Sequence, residues 1–210
     1  MIKLLSIAAG CLFALPPAPA HAQAPRFKSL PESEMTEAQL KAARELAGGP
    51  RGKLNPYGPN AVLLRSPELM DRTQRVGEYL RFKSSIPARL NEFAILITAR
   101  QWSSQTEWIG HHDLALKAGL SPAVAADLAQ GRRPASMKDD EAAVYQFCKE
   151  LHDNKEVSDA AYKAALDRFG ERGVVDLVGV TGYYTMLAMV LSVSRQPLPE
   201  GTPPPLPALK

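Results

Sequence analysis

The chain has 210 residues and a formal net charge of +3, with 25 basic and 22 acidic side chains mixed along its length. That length suits one domain with a sizeable core. No basic stripe is interleaved with aromatic residues, so nucleic-acid binding is not expected, and no internal apolar run predicts a membrane span.

The first 22 residues are typical of a secretory signal peptide. Lys3 supplies a positive start, and residues 4–15 are apolar but too few to cross a bilayer as a mature anchor. Small residues at Ala20 and Ala22 match the positions that a signal peptidase reads. We therefore predict cleavage between Ala22 and Gln23 and a periplasmic or secreted protein.

The two cysteines have separate interpretations. Lipidation of Cys11, which follows an Ala-Gly pair, is the alternative to cleavage after Ala22. Once the signal peptide is removed, Cys148 is the only cysteine left, so no intramolecular disulfide can form. Cys148 falls on a predicted amphipathic helix and is expected to be a small buried apolar residue.

Residues 23–56 are predicted to form an N-terminal leader and one modest helix, from Glu34 to Ala47, which ends at a Gly-Gly-Pro sequence. The loop that follows, residues 50–59, is rich in Pro and Gly. A surface connection is the favoured interpretation of this loop, and a cover over a pocket is the alternative.

The main domain is predicted over residues 57–195 and contains helices but no convincing strand. Ser66 and Pro67 start its first long helix as N-cap and first helical residue. The arginines of this helix, Arg81 among them, are interpreted as a solvated face. Further helices are predicted over residues 87–102 and 104–117, from 122 to Gly131, from Asp139 or Asp140 to His152, and from 159 to Gly170.

The longest predicted helix covers residues 171–194 and is apolar almost all round from Val174 to Val193. Such a helix is buried on most sides, either as a central helix or as a subunit interface. Residues 196–210 are rich in proline and are expected to be a disordered tail, with a position across a partner subunit as the alternative.

Residues 92–119 hold the densest group of proton-transferring side chains in the chain. On a helix that starts at Ser104, Glu107 and His111 are i,i+4 neighbours and share a face with Ser104. His112 points about 100° away. A structural hydrogen-bonded pair is the favoured interpretation from the residues alone. The alternative is that His111 shuttles protons while Glu107 orients it.

Other residues of this region are also candidates. Glu92 lies within an apolar run and is a second acid–base candidate or a structural carboxylate. Ser104 is a candidate hydroxyl donor to a substrate carboxylate or carbonyl. The candidate substrate contacts are Arg100, Trp108 and Tyr183. The alternative role is surface ion pairing for the arginine and core packing for the two aromatic residues.

A metal ion is not expected. His111 and His112 are adjacent and diverge on a helix, so a tetrahedral site would need His152 as a further ligand. His152 lies at the end of a predicted helix, where a histidine suits the helix dipole.

The stretch from Glu92 to His111 resembles the carboxymuconolactone decarboxylase family, which includes the alkyl hydroperoxidase D-like proteins. In the peroxidase branch a Glu is followed by Cys-x-x-Cys, with a His four residues after the second Cys. Glu92 and His111 match this spacing, but Ser104 and Glu107 stand at the cysteine positions. The decarboxylase branch also has a Glu four residues before the His, as here. The resemblance extends over about residues 58–194.

This resemblance implies a single all-α domain of seven or eight helices that assembles as a homo-oligomer, often a trimer or hexamer. Together with the signal sequence, it indicates an exported carboxy-lyase-like enzyme without a cofactor. Such an enzyme would decarboxylate, or transfer a proton on, a small lactone or oxo-carboxylic acid. The alternatives are a peroxidase-like antioxidant, disfavoured because both cysteines are absent, and an exported binding protein without catalysis.

Overall fold

The computed structural model describes residues 24–209, which form eight α-helices and one short 3-10 helix and contain no strand. The prediction of an all-α fold with seven or eight helices is confirmed. The predicted signal peptide and Cys11 lie outside the described residues. After the 3-10 helix (Glu32–Glu34) come α1 (Glu37–Gly48), α2 (Pro59–Leu63), α3 (Pro67–Phe82), α4 (Ala88–Gln101), α5 (Gln105–Lys117), α6 (Pro122–Ala129), α7 (Asp139–Asn154) and α8 (Asp159–Ser194).

Capping side chains set several helix starts. Ser158 Oγ accepts a hydrogen bond from Ala161 N at 3.3 Å and so caps α8. The start of α7 differs from the prediction, because its N-cap residue is Lys138 rather than an aspartate. The Glu141 carboxylate accepts from Lys138 N at 2.8 Å, and both aspartates fall in the first turn, where negative charge suits the helix dipole.

The centre of the fold is α4, whose residues from Leu90 to Arg100 are all buried. Helices α5, α7 and α8 pack against it. A helix enclosed on all sides must be apolar around most of its surface, and the run from Phe93 to Ile97 meets that need. The polar residues of α4, such as Glu92 and Thr98, must therefore find partners inside the protein.

The two helices predicted on either side of Gly170 follow each other without a loop and are described together as α8. The backbone is not helical at Gly170, where φ is 65° and ψ is 179°, and α8 is kinked there as the predicted break requires. By length and composition α8 could cross a membrane, but 50% of its apolar 18-residue window is buried inside the protein. One apolar stripe of α8 is uncovered within the described residues, and it carries Val175, Val178, Met189 and Val193.

The proline-rich tail lies along its own chain, which differs from the expected disorder. Gln105 Oε1 accepts from Leu206 N at 2.8 Å, and Gln105 Nε2 donates to Leu206 O at 2.9 Å. Arg100 Nη1 donates to Pro207 O at 2.9 Å. An extended proline-rich segment has no internal hydrogen bonds, so its carbonyls are free to accept from these side chains. The Leu206 side chain is 3% exposed and joins the core.

Leu206→Ala is expected to weaken the docking of this tail by about 2 kcal/mol, because it removes most of a buried apolar side chain. Hydrogen exchange at the Leu206 amide, which Gln105 protects, measures the effect. Leu209→Ala is the matched control, since Leu209 is 52% exposed. Equal exchange rates in the two variants would contradict the docking.

Candidate active site

Three acid–base side chains, Glu92, Glu107 and His111, meet between α4 and α5 and are called here the acid–base cluster. The two helices pack against each other across a short turn in which Ser103 is left-handed, with φ 49°. This turn brings Glu92 of α4 beside His111 of α5. The three side chains belong to residues that are 9%, 5% and 6% exposed, in the order named.

Glu92, rather than Glu107, holds the imidazole. Glu92 Oε2 lies 2.6 Å from His111 Nδ1 and accepts a hydrogen bond from it. This contact orients the ring and leaves Nε2 as the second nitrogen available for chemistry. Glu107 Oε2 is 3.7 Å from His111 Nε2, which is too long for a hydrogen bond. The i,i+4 spacing brings Glu107 close, but the expectation that it orients His111 is wrong.

The acid–base cluster opens into a cavity of about 220 Å³. His111 and Glu107 form part of its wall, and Tyr184 of α8 meets the His111 ring edge to face at 5.0 Å. The loop of residues 50–59 forms part of the wall of this cavity, so it is more than a surface connection. The remaining lining residues are Leu46, Arg51, Lys53, Asn55, Gly58, Pro59, Asn60, Arg81, Thr106, Gly110 and Leu187.

Burial raises the pKa of Glu107, and the neighbouring positive charges of His111, Arg51 and Arg81 oppose that rise. Burial therefore favours the neutral carboxylic acid. Glu107 Oε1 has no hydrogen-bond partner among the described residues. The hydroxyl of Tyr184 also lacks a partner there, and burial raises the pKa of Tyr184 well above its usual value. The cavity thus presents polar groups that a ligand could satisfy.

Two arginines missed by the sequence interpretation face the cavity. The Nε atoms of Arg51 and Arg81 are buried without a hydrogen-bond partner in residues 24–209. The interpretation of Arg81 as part of a solvated face is wrong. Its spacing held a signal, because Gln74 and Gly77 belong to the buried side of α3 and Arg81 follows Gly77 by one turn. No comparable signal existed for Arg51 in its loop.

Three predicted site residues lie away from the cavity wall. Ser104 has extended backbone dihedrals as the N-cap of α5, so it does not share the helical face of Glu107, and Thr106 lines the cavity instead. Arg100 is 3% exposed and donates to carbonyls of the tail and of α6. Trp108 is buried in the core, with its ring stacked at 5.9 Å on His112.

The third candidate substrate contact, Tyr183, lies beside the cavity. It is 6% exposed, and its hydroxyl has no hydrogen-bond partner in the described part of the chain. Burial raises the pKa of Tyr183, while the nearby positive charge of Arg51 opposes the rise. Its ring meets Tyr184 edge to face at 5.3 Å.

Two further candidate groups are buried away from the acid–base cluster. Burial raises the pKa of the Cys148 thiol to about 11, so the thiolate is disfavoured at neutral pH. His152 lies 3.1 Å from Thr98 Oγ1, and burial lowers the pKa of His152 to about 4. The prediction that His152 lies at the end of its helix is confirmed, because it falls in the last turn of α7. The lowered pKa favours the neutral imidazole near neutral pH, which weakens its interaction with the helix dipole.

The chain matches no family model and no curated protein when it is compared with known proteins. Its class is defined by fold and site: an all-α protein with a buried acid–base cluster beside a cationic cavity. Across residues 24–209 no group of three or more His, Cys, Asp and Glu side chains is arranged to hold a metal ion.

Proposed function

We propose that this protein is an acid–base enzyme without a cofactor, similar in chemistry to the carboxymuconolactone decarboxylases. Its substrate is a small lactone or oxo-carboxylic acid, which it decarboxylates or on which it transfers a proton. The observation that carries the proposal is the position of His111, held by Glu92 at 2.6 Å and open to a cavity of about 220 Å³. A positioned histidine of this kind is the commonest general acid or base.

In the proposed decarboxylation, the bond between the carboxylate carbon and its neighbour breaks and CO2 leaves. The electron pair of that bond passes into the adjacent carbonyl and forms an enolate. His111 then transfers a proton from Nε2 to the carbon that lost CO2, while Glu92 stabilises the charge of the imidazole. The protonated enzyme is restored by a proton from solvent.

Glu107 takes the part that the sequence assigned to Ser104. A buried, neutral carboxylic acid is a hydrogen-bond donor, and a donor aimed at a developing oxyanion lowers the barrier. Glu107 is inside the cavity wall and its pKa is raised by burial. Ser104 stands outside that wall, so it has no direct role in the proposed step.

Two other functions make different predictions. A thiol peroxidase needs a reactive thiolate, and the buried Cys148, with a pKa raised to about 11, is poorly suited to supply one. A thiol-dependent hydroperoxide assay distinguishes this function. A binding protein without catalysis would retain its ligand unchanged.

The proposed cellular setting is outside the cytoplasm, as the signal-like sequence of the first 22 residues indicates. The proposed assembly is a homo-oligomer, either a trimer or a hexamer. Its support is the uncovered apolar stripe of α8, on which Val175 is 68% exposed and Val193 is 58% exposed. Contiguous exposed apolar surface of this kind commonly marks an interaction site.

Proton NMR in D2O tests the function. Carboxymuconolactone, related lactones and β-oxo acids are incubated with the protein, and the spectra report both loss of CO2 and deuterium exchange beside a carbonyl. Turnover of any compound supports acid–base catalysis. Binding of a compound without product or exchange supports the non-catalytic alternative.

Glu107→Gln is expected to keep turnover within about tenfold of the wild type near neutral pH and to remove the part of the fall in activity at high pH that comes from ionisation of Glu107. Burial raises the pKa of Glu107, so the neutral donor is lost only when pH rises through that elevated value. Glutamine is a neutral donor of similar shape at every pH. The pH dependence of kcat/KM measures the difference, with the exposed Glu171→Gln as control.

The same change has a stability signature. Because the folded pKa of Glu107 lies above its unfolded value, the folded state binds more protons, and its stability falls as pH rises through the folded pKa. In Glu107→Gln, the melting temperature should therefore change less with pH over that range. If kcat/KM falls at high pH in the variant as it does in the wild type, Glu107 does not contribute to that fall.

A further inference from the structure

We infer that Arg51 anchors the anionic group of a small carboxylate in this cavity, and that Gly77 leaves the space in which the Arg51 guanidinium is positioned for that contact. The inference rests on the proposed function, since the anchored group belongs to the substrate. It adds a binding residue in the loop of residues 50–59 and one positioning residue on α3.

Arg51 is a cation without a carboxylate partner. It forms no salt bridge within residues 24–209, and its Nε and Nη2 atoms are buried without a hydrogen bond there. By contrast, Arg72 pairs with Glu68 and Arg89 pairs with Asp140. A buried charge without a partner is unfavourable. A bound carboxylate would accept two parallel hydrogen bonds from the guanidinium and relieve that cost.

Gly77 makes room for this guanidinium. A Cβ atom at position 77 would overlap both Arg51 Nη2 and Tyr183 OH, so both atoms lie directly against the backbone of α3. Gly77 is buried within the helix, where glycine is disfavoured relative to alanine. The close approach of Arg51 and Tyr183 explains why a residue without a side chain stands there.

The charge of the cavity favours an anion. Arg51, Lys53 and Arg81 line it. Glu107 is the only acid among the lining residues, because Glu92 is engaged by His111 and is absent from the wall. The basic side chains of the wall therefore outnumber its acids, and an oxyanion complements them.

A carboxylate fits better than other oxyanions. The Nε and Nη2 atoms of one guanidinium form a planar pair of donors, which matches the two oxygens of a carboxylate. Phosphate shares the oxyanion chemistry, so both ions belong in the test. Malonate is the carboxylate probe, and neutral malonamide has nearly the same shape without the charge.

The three probes are titrated into the protein while the Arg51 Nε–H signal is followed by NMR. Wild type is expected to bind malonate saturably, and to bind malonamide and phosphate at least tenfold more weakly. Arg51→Gln is expected to weaken malonate binding at least tenfold. The matched control is Arg72→Gln, which removes an exposed arginine of α3 and should keep the wild-type affinity.

Gly77→Ala tests the positioning role with Arg51 still present. The added methyl group would overlap both Arg51 Nη2 and the Tyr183 phenol, so it should displace both side chains. This displacement should shift the Arg51 Nε–H signal of the free protein and weaken malonate binding at least threefold. Arg51→Lys is a second test that leaves α3 unchanged. It keeps the charge but loses the planar pair of donors, so its affinity should fall between those of wild type and Arg51→Gln.

Malonate binding is measured separately from turnover, so the anchor and the proposed function can fail independently. If the wild type binds malonate but turns over no compound, the proposed function is contradicted and the role of Arg51 as an anion anchor is supported. No malonate binding by wild type, equal binding of malonamide, or full binding by Arg51→Gln would overturn the anchor. Phosphate binding tighter than malonate would overturn the carboxylate assignment.

Discussion

Turnover is expected to fall by about 10²- to 10⁴-fold in His111→Asn, the range lost when a positioned general acid or base is removed. The Asn amide nitrogen takes nearly the place of His111 Nδ1, which lies 2.6 Å from Glu92 Oε2. It can therefore still donate to Glu92, so the buried carboxylate keeps a partner. The variant lacks Nε2, the atom that transfers the proton in the proposed step.

His112→Asn is the matched control for this change. His112 is the next residue on α5, but its ring stacks on Trp108 and its Nδ1 contacts Asp113, outside the cavity wall. The control should turn over substrate at the wild-type rate. Both variants should melt close to the wild-type temperature, which shows that a loss of activity is chemical. Full activity in His111→Asn would remove His111 from the mechanism.

The wild-type protein is expected to lose about 2 kcal/mol of unfolding free energy through His152 as the pH falls from 6.5 to 4. Burial, assisted by the positive charges of Lys149 and Lys155, lowers the pKa of His152 from 6.5 to about 4. Above pH 6.5 the ring is neutral in both states and the contribution is complete. Below it the unfolded chain takes up the proton first, so stability is lost as pH falls towards the folded pKa.

The size follows from about 1.4 kcal/mol for each pKa unit, reduced because solvent reaches the ring at the surface groove that His152 lines with Leu151 and Met189. His152→Gln retains a donor for Thr98 and has no proton to gain. As the pH falls, the free energy of unfolding in urea should therefore decrease in the wild type relative to the variant. A constant difference from pH 7 to pH 4 would contradict the neutral, buried state of His152.

Local signals in the sequence predicted much of the fold. The Ser66–Pro67 start of α3, the glycine break at Gly170 and the apolar run of α4 are written in neighbouring residues, because helix capping and periodicity are short-range effects. Long-range packing altered the roles. The sequence predicted the apolar segment of α8 to be either a central helix or a subunit interface. The enclosed helix is α4, and α8 keeps one apolar face uncovered within the described residues.

The candidate site divides in the same way. The i,i+4 spacing of Glu107 and His111 and the presence of Glu92 were visible in the sequence, because the first is a property of any helix. The turn between α4 and α5 brings Glu92 Oε2 within 2.6 Å of His111 Nδ1, so Glu92 is the carboxylate that orients the imidazole. The N-cap geometry of Ser104 removed it from the face that helical periodicity assigned to it.

Residues a turn or two apart were enough to predict the helical class, most helix positions and two of the ionisable groups at the cavity. Tertiary packing was needed to bring Arg51 from a loop and Arg81 from α3 to the cavity that His111 also lines. It also decided that Arg100 holds the C-terminal tail. Contacts between residues far apart in the chain depend on how helices pack, and helical periodicity carries no information about that packing.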